Sequence, residues 1–234
     1  MSDRTEKFLN LYSELEQFAA KEYSIDKTDS AFHYMCNRPE FSRIRDELDY
    51  CREVRNLLVH KKYMSNVYKI EPSETLIHVL ENTLEKVKNP PRVSSLAIPI
   101  GKVATCTISD YVLPAMRMMN EKNFTHIPIV DNGIVVGVFS ENTVFSYITD
   151  EEIVEIDKDT KFEKLSKYLP INCHRAEVFR FVKKDALTYD ISQLFSKALN
   201  DGERIGMLFV TEHGKSSEKL LGIVTAWDVA GADL

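Results

Sequence analysis

Hydrophobic residues recur every three or four positions along the first third of the chain. Leu11, Tyr12, Leu15, Phe18 and Ala19 keep that spacing, as do Ile44, Leu48, Cys51, Val54 and Leu58, and again Leu76, Ile77, Leu80, Leu84 and Val87. A period near 3.6 puts each set on one face of a helix. Pro72 and Ser73 open the third helix as a helix start should, and Lys86 and Lys88 near its end suit the dipole. The stretch Ser30 to Asn37, stopped by Pro39, predicts a fourth, shorter helix. Residues 1–88 therefore read as a small helical bundle. Asn89-Pro90-Pro91 ends it, because neither proline donates a backbone hydrogen bond and each restricts the residue before it.

Beyond this point the pattern repeats. Val103, Ile108, Ser109, Val112, Ala115 and Met116 fall on Val182, Leu187, Thr188, Ile191, Leu194 and Phe195 at an offset of 79. His126-Ile127-Pro128-Ile129-Val130 falls on Gly206-Met207-Leu208-Phe209-Val210 at 80, and Gly137-Val138-Phe139-Ser140 on Gly222-Ile223-Val224-Thr225 at 85. The additional residues sit in the polar stretch His213 to Glu218, which has the composition of a long hairpin loop. Each copy reads strand, helix, strand, turn, strand, helix. The second copy closes with a glycine where a backbone can approach a ligand, then Thr225 and Asp228 three positions apart at a strand-to-helix turn. A hydroxyl and a carboxylate at that spacing suit the hydroxyls of a ribose.

This order of elements, with glycine-apolar-apolar-Ser/Thr-x-x-Asp at its end, resembles the CBS domain, and two in tandem resemble a Bateman module. The resemblance covers Pro90 to Leu234. It implies an α+β chain: a helical domain over 1–88, then two CBS-type β-α-β-β-α units over 89–150 and 151–234 forming one module. It also implies a cleft for an adenosine-containing ligand such as AMP, ADP, ATP, S-adenosylmethionine or cyclic di-AMP. Carried over by position, Thr225 and Asp228 would hold the ribose, with Val182, Lys183, Lys184 and Met207 around the ligand. In the first unit the corresponding residues are Thr105, Ser140 and Thr143. There a threonine stands where the aspartate would be, and it cannot reproduce the charge-assisted hydrogen bonds of a carboxylate. The second cleft is therefore the expected ligand site. Candidate phosphate partners are Lys102, Arg180, Lys183 and Lys184. Neither G-x-x-x-x-G-K-[ST] nor G-x-G-x-x-G is present, so the two common glycine-rich phosphate cradles are absent. A second reading stands beside the ribose one: Thr225 and Asp228 cap the last helix.

Within the first third, Arg55-Asn56-Leu57-Leu58-Val59-His60 matches the R-x4-H pattern and resembles HEPN domains, a helical family that includes metal-independent ribonucleases. In such an enzyme His60 would assist proton transfer at a ribose 2′-hydroxyl and Arg55 would stabilise phosphate charge, with Tyr63 just beyond. On an unbroken helix positions five apart diverge by roughly 140°, so the two side chains converge only if the helix ends near His60 or a second subunit completes the site. The alternative is that Arg55 makes a surface ion pair and His60 caps a helix C-terminus.

Charge weighs against nucleic acid. Residues 1–88 carry 14 Lys and Arg against 16 Asp and Glu, and residues 89–234 carry 16 against 20, so neither part is basic. The four cysteines form no C-x-x-C pair and the six histidines no ligand constellation, so no metal site is expected. The sequence starts Met1-Ser2-Asp3-Arg4, unlike a signal peptide, and no apolar run approaches a membrane span; the expectation is a cytoplasmic protein. Three functions remain: an adenine-nucleotide sensor modulating its helical domain or a partner, a HEPN-type ribonuclease under CBS control, and an assembly module without ligand. The resemblance further implies a homodimer.

Overall fold

The computed structural model describes residues 3–25, 30–60, 70–151 and 154–231. The chain divides into two compact units, Met1–Pro91 and Arg92–Leu234.

The first unit is helical. It contains α1 (Asp3–Glu22), α2 (Ala31–Cys36), α3 (Arg45–His60) and α4 (Glu74–Lys88), with a 3₁₀ turn over Pro39–Ile44. Ser30 caps α2 through His33 N, and Ser73 caps α4 through Leu76 N, each satisfying an amide that the helix leaves unpaired. The periodic residues meet inside: Phe8, Leu15, Phe32, Leu48, Leu58 and Leu80 are fully buried. Tyr12 stacks on Phe32 with ring centroids 3.9 Å apart. Cys51 is part of this core, and burial pushes its thiol up to about 12, so it is a small apolar filler.

The second unit contains α5 (Val93–Leu96), β1 (Ile98–Pro99), α6 (Val112–Lys122), β2 (His126–Asp131), β3 (Ile134–Ser140) and α7 (Glu141–Asp150). There follow β4 (Val178–Lys183), α8 (Thr188–Asn200), β5 (Ile205–Thr211), β6 (Gly222–Val224) and α9 (Ala226–Ala230). One sheet has the order β1-β6-β5-β4, in which β4 and β5 are parallel and the other pairs antiparallel. The other is the antiparallel hairpin β2-β3. Its turn places Asn132 and Gly133 at φ 49° and 82°, the positive angles that a tight hairpin requires. In the first half the leading strand of the repeat shrinks to one parallel bridge, Cys106 to Ile129.

The two halves exchange their leading segments. Val93 is fully buried in the core of α8, β5 and β6, whereas Phe162 and Leu165 are fully buried in the core of α6, β2 and β3. The backbone follows the same exchange. Val93 N donates to Ala186 O (2.7 Å) and Val112 N to Thr160 O (2.9 Å). β1 pairs with β6, and Val138 N of β3 donates to Leu169 O (2.8 Å). These crossings explain the repeated glycine. A Cβ on Gly222 would lie 2.6 Å from Ile98 O, and one on Gly137 would lie 2.5 Å from Leu169 O. The glycine read as an approach point for a ligand is thus an approach point for the protein's own backbone.

The repeat register holds in the helices and fails in the first strand. Phe124 N donates to Met119 O as Glu203 N does to Ala198 O, which preserves the offset of 79. Cys106, however, pairs with Ile129 as Phe181 pairs with Phe209, so in the strand the offset is 75 and Val182 is not the partner of Val103.

Replacing Gly137 or Gly222 by Ala should lower unfolding free energy by about 1–3 kcal/mol, the usual cost of overpacking. Gly101→Ala, whose Cβ meets nothing within 4 Å, is the control. Urea midpoints that do not separate the three variants contradict the exchange as a tight backbone packing.

Candidate functional site

The end of β6 delivers Thr225 in extended conformation, and α9 starts at the next residue. Asp228, in its first turn, reaches back: Oδ2 accepts from Thr225 N and from Thr225 Oγ1, each at 2.7 Å. This closes the helix start and places negative charge at the positive end of the helix. A carboxylate has a second oxygen, and among the described residues Oδ1 takes no partner. Capping and ligand binding are therefore compatible, each using a different oxygen.

Thr225 and Asp228 line a cleft of about 500 Å³. Ile98, Val103, Ile205, Met207 and Ile223 give it apolar walls, and Asn123 to His126 line it as well. Lys102 and Arg204 stand on its rim, and among the described residues neither is paired with a carboxylate. Trp227, the chain's one tryptophan, lines it too and is 85% exposed. The cleft thus combines apolar walls, a carboxylate acceptor and two cationic side chains.

Of the residues expected from sequence, Thr225, Asp228, Met207 and Lys102 meet here. The others do not. Val182 is buried in the core of the second half. Lys183 and Lys184 lie at the end of β4, Lys183 beside Asp185 (3.7 Å) and Lys184 beside Glu212 (2.6 Å). Arg180 is paired with Glu203. Thr105, half-buried, falls outside the lining residues although Ala104 is among them. The register error explains these placements: the stretch that reaches the cleft is Lys102-Val103-Ala104, not the end of β4. Arg204 and Trp227 carry no motif; each is recognisable only from its position beside β5 or within Thr225-x-x-Asp228.

Ser140 and Thr143, the counterparts of Thr225 and Asp228, are each 1% exposed. They form a capping box at the start of α7, Ser140 N donating to Thr143 Oγ1 (2.9 Å). The Ser140 hydroxyl also donates to Glu177 Oε1 (2.7 Å). Glu177 is buried, and its other oxygen accepts from His126 Nε2 at 2.7 Å. His174 Nδ1 lies 3.6 Å from Oε1, while its Nε2 donates to Leu169 O (3.3 Å). Burial alone would raise the Glu177 carboxyl; His126, His174 and the Ser140 hydroxyl outweigh it and hold the group well below the usual carboxylate range. Phe179 meets both imidazoles edge-on. Gly206, the counterpart of His126, has no room for a Cβ, which would lie 2.9 Å from His126 Nε2 and from the Phe179 ring. His126 also lines the open cleft. Nothing in the sequence pattern singled out Glu177.

In the helical unit, α3 runs unbroken from Arg45 to His60. Arg55 lies over the Tyr12 ring at 5.7 Å and donates to Asn56 Oδ1 (3.3 Å). The His60 side chain and Tyr63 lie outside the described residues. Among the described residues no group of three or more potential metal ligands occurs, and no helix is long and apolar enough to cross a membrane.

Residues 93–150 match the family model of the CBS domain. No curated protein matches the chain. Among solved structures it is similar to CBSX2 in complex with AMP, at 20% identity and a TM-score of 0.43, covering 60% of this chain and 93% of that one. The CBS domains of a transcriptional regulator from Streptococcus pneumoniae match at 19% identity, TM-score 0.42, over 62% and 100% of the two chains. A CBS domain pair in complex with 5′-methylthioadenosine and S-adenosyl-L-methionine matches at 18% identity, TM-score 0.39, over 59% and 92%. A CBS domain is thus present over 93–150 in a mixed α and β chain with a helical N-terminal region.

The lowered Glu177 fixes a sign for pH. A carboxyl whose folded value is depressed stabilises the fold above its unfolded value, about 4.5, and loses that contribution as pH falls toward the folded value. Between pH 6 and 3 the unfolding free energy of the parent should fall more steeply than that of Glu177→Gln, measured by urea denaturation. Parallel profiles contradict an ionised Glu177.

Proposed function

We propose that the chain is a regulatory adenine-nucleotide-binding protein whose ligand occupies the cleft beside Thr225 and Asp228. In this reading residues 92–231 act as two CBS-type units in one Bateman-like module, and the second unit's cleft is the binding site. The observation that carries it is the Asp228 carboxylate, with one oxygen in the helix cap and the other free toward an open cleft. A ribose hydroxyl donating to that oxygen makes a charge-assisted hydrogen bond. The volume of about 500 Å³ lies within the roughly 300–1,000 Å³ usual for small-molecule sites. Ile98, Met207 and Ile223 offer a base an apolar slot. Lys102 and Arg204, unpaired among the described residues, favour a ligand carrying phosphate over one carrying only a sulfonium.

Regulation follows from how the cleft is built. Its walls come from both halves of the module, so a ligand that touches Ile98 and Asn123 to His126 together with Thr225 to Asp228 favours the arrangement in which all are in reach. Such a ligand acts only through its differential affinity for two arrangements. The helical unit, or a partner, is the recipient of that change.

Binding should raise the melting temperature for AMP, ADP or ATP more than for S-adenosylmethionine, and should change the emission of Trp227, the only tryptophan. Asp228→Asn keeps a cap acceptor and removes the free anionic oxygen; affinity should fall by about tenfold or more, the scale of a hydrogen bond to a charged group. A flat melting temperature across the panel, or an Asp228→Asn protein that binds like the parent, contradicts the proposal.

A further inference from the structure

We propose that Glu177 is an internal ligand: its carboxylate occupies the first half's site, so the chain takes one adenosine-containing ligand and takes it in the second half's cleft. This rests on the reading just given for the second cleft and extends it to the first.

The repeat supplies two equivalent helix starts, Ser140 with Thr143 and Thr225 with Asp228. At the second, the polar pair faces an open cleft of about 500 Å³. At the first, the hydroxyl of Ser140 already has a carboxylate partner, Glu177 Oε1 at 2.7 Å, and both Ser140 and Thr143 are 1% exposed. The Glu177 carboxylate is therefore bonded at the helix start whose counterpart, Thr225 with Asp228, lines the open cleft. Two spaces border this helix start, one of about 220 Å³ beside Asn142, Thr143, His174 and Arg175 and one of about 350 Å³ beside Ser140, Glu141 and Thr125, each smaller than the cleft at Asp228.

The chain length between the two exchanged contacts explains the difference. Ile98 and Leu169 are equivalent, each setting its carbonyl against the glycine of the opposite half. Cys106 and Phe181 are equivalent by strand pairing. Eight positions separate the first pair of points and twelve the second, so the second half holds four more residues in this stretch. In the shorter stretch Lys102, Val103 and Ala104 line the open cleft. In the longer one Glu177 turns into the protein. One connection leaves a cation on the rim of a cleft; its counterpart puts an anion inside one.

The electrostatics point the same way. Glu177 is 2% exposed and meets His126, His174 and Ser140. A nucleotide entering the first half would displace a buried carboxylate from these partners and set its own anionic phosphate beside that carboxylate. No cation among the residues bordering the smaller space has the freedom of both Lys102 and Arg204; only Arg175 is there.

The test is isothermal titration of the full chain with AMP, ATP and S-adenosylmethionine in turn, with circular dichroism to verify folding of each variant. The parent should bind one equivalent, abolished or weakened about tenfold or more by Asp228→Asn. Glu177→Ala should acquire a second, weaker equivalent that disappears again in Glu177→Ala combined with Ser140→Ala. Should Glu177→Ala not fold, Glu177→Ser, which keeps a hydroxyl for His126, serves in its place. Two equivalents on the parent, or one on a folded Glu177→Ala or Glu177→Ser, overturn the internal-ligand proposal and leave the second cleft's reading intact. No binding of any of the three to the parent overturns the reading of the second cleft and this proposal with it.

Discussion

The carbonyl oxygens of Ile98 and Leu169 lie only 2.6 and 2.5 Å from where Cβ atoms on Gly222 and Gly137 would be, and the rest of the C-terminal unit is organised around that pair of contacts. Each half sends its leading segment into the other. Val93 completes one core while Phe162 and Leu165 complete the other, so the apolar surface of each half is buried only when both are folded. With hydrophobic burial contributing roughly 25 cal/mol per Å², neither half is expected to be stable alone. The glycines permit this because nothing larger admits a backbone so close.

The exchange also makes the clefts. A leading segment that crosses to the opposite strand must return along the edge of that half's helix start, and what it carries there decides the site. From Ile98 the return is short and carries Lys102 to the rim of an open cleft. From Leu169 it is longer and carries Glu177 inward to Ser140 and His126. His126 belongs to both environments, since it holds Glu177 and lines the open cleft. The duplicated halves have thus diverged in charge as well as in shape.

Much of this was legible from residue pattern, and the parts that were not have identifiable causes. The helical unit was readable because apolar spacing, capping serines and the Pro90-Pro91 stop agree with one another. Thr225 and Asp228 were readable as a pair, although whether they capped a helix or faced a ligand was not; two oxygens on one carboxylate allow both. Val182, Lys183 and Lys184 lie away from the cleft beside Asp228 for a different reason. Apolar strands look alike under a shift of four residues, and only the pairing of Cys106 with Ile129 fixes the register. Glu177 could not be found at all, because a lone glutamate in a stretch whose two copies differ in length by four residues carries no motif. Arg55 lies over the Tyr12 ring within the bundle, and the His60 side chain that the short motif would pair with it lies outside the described residues.

A crystal structure of the chain grown with an adenine nucleotide examines the central claim, that the two halves hold one open and one closed site, in a single experiment. The account requires nucleotide density with its ribose against Asp228 Oδ1 and its phosphate toward Lys102 and Arg204, while Glu177 remains bonded to Ser140. Nucleotide density beside Ser140, with Glu177 turned away and the cleft at Asp228 empty, contradicts it.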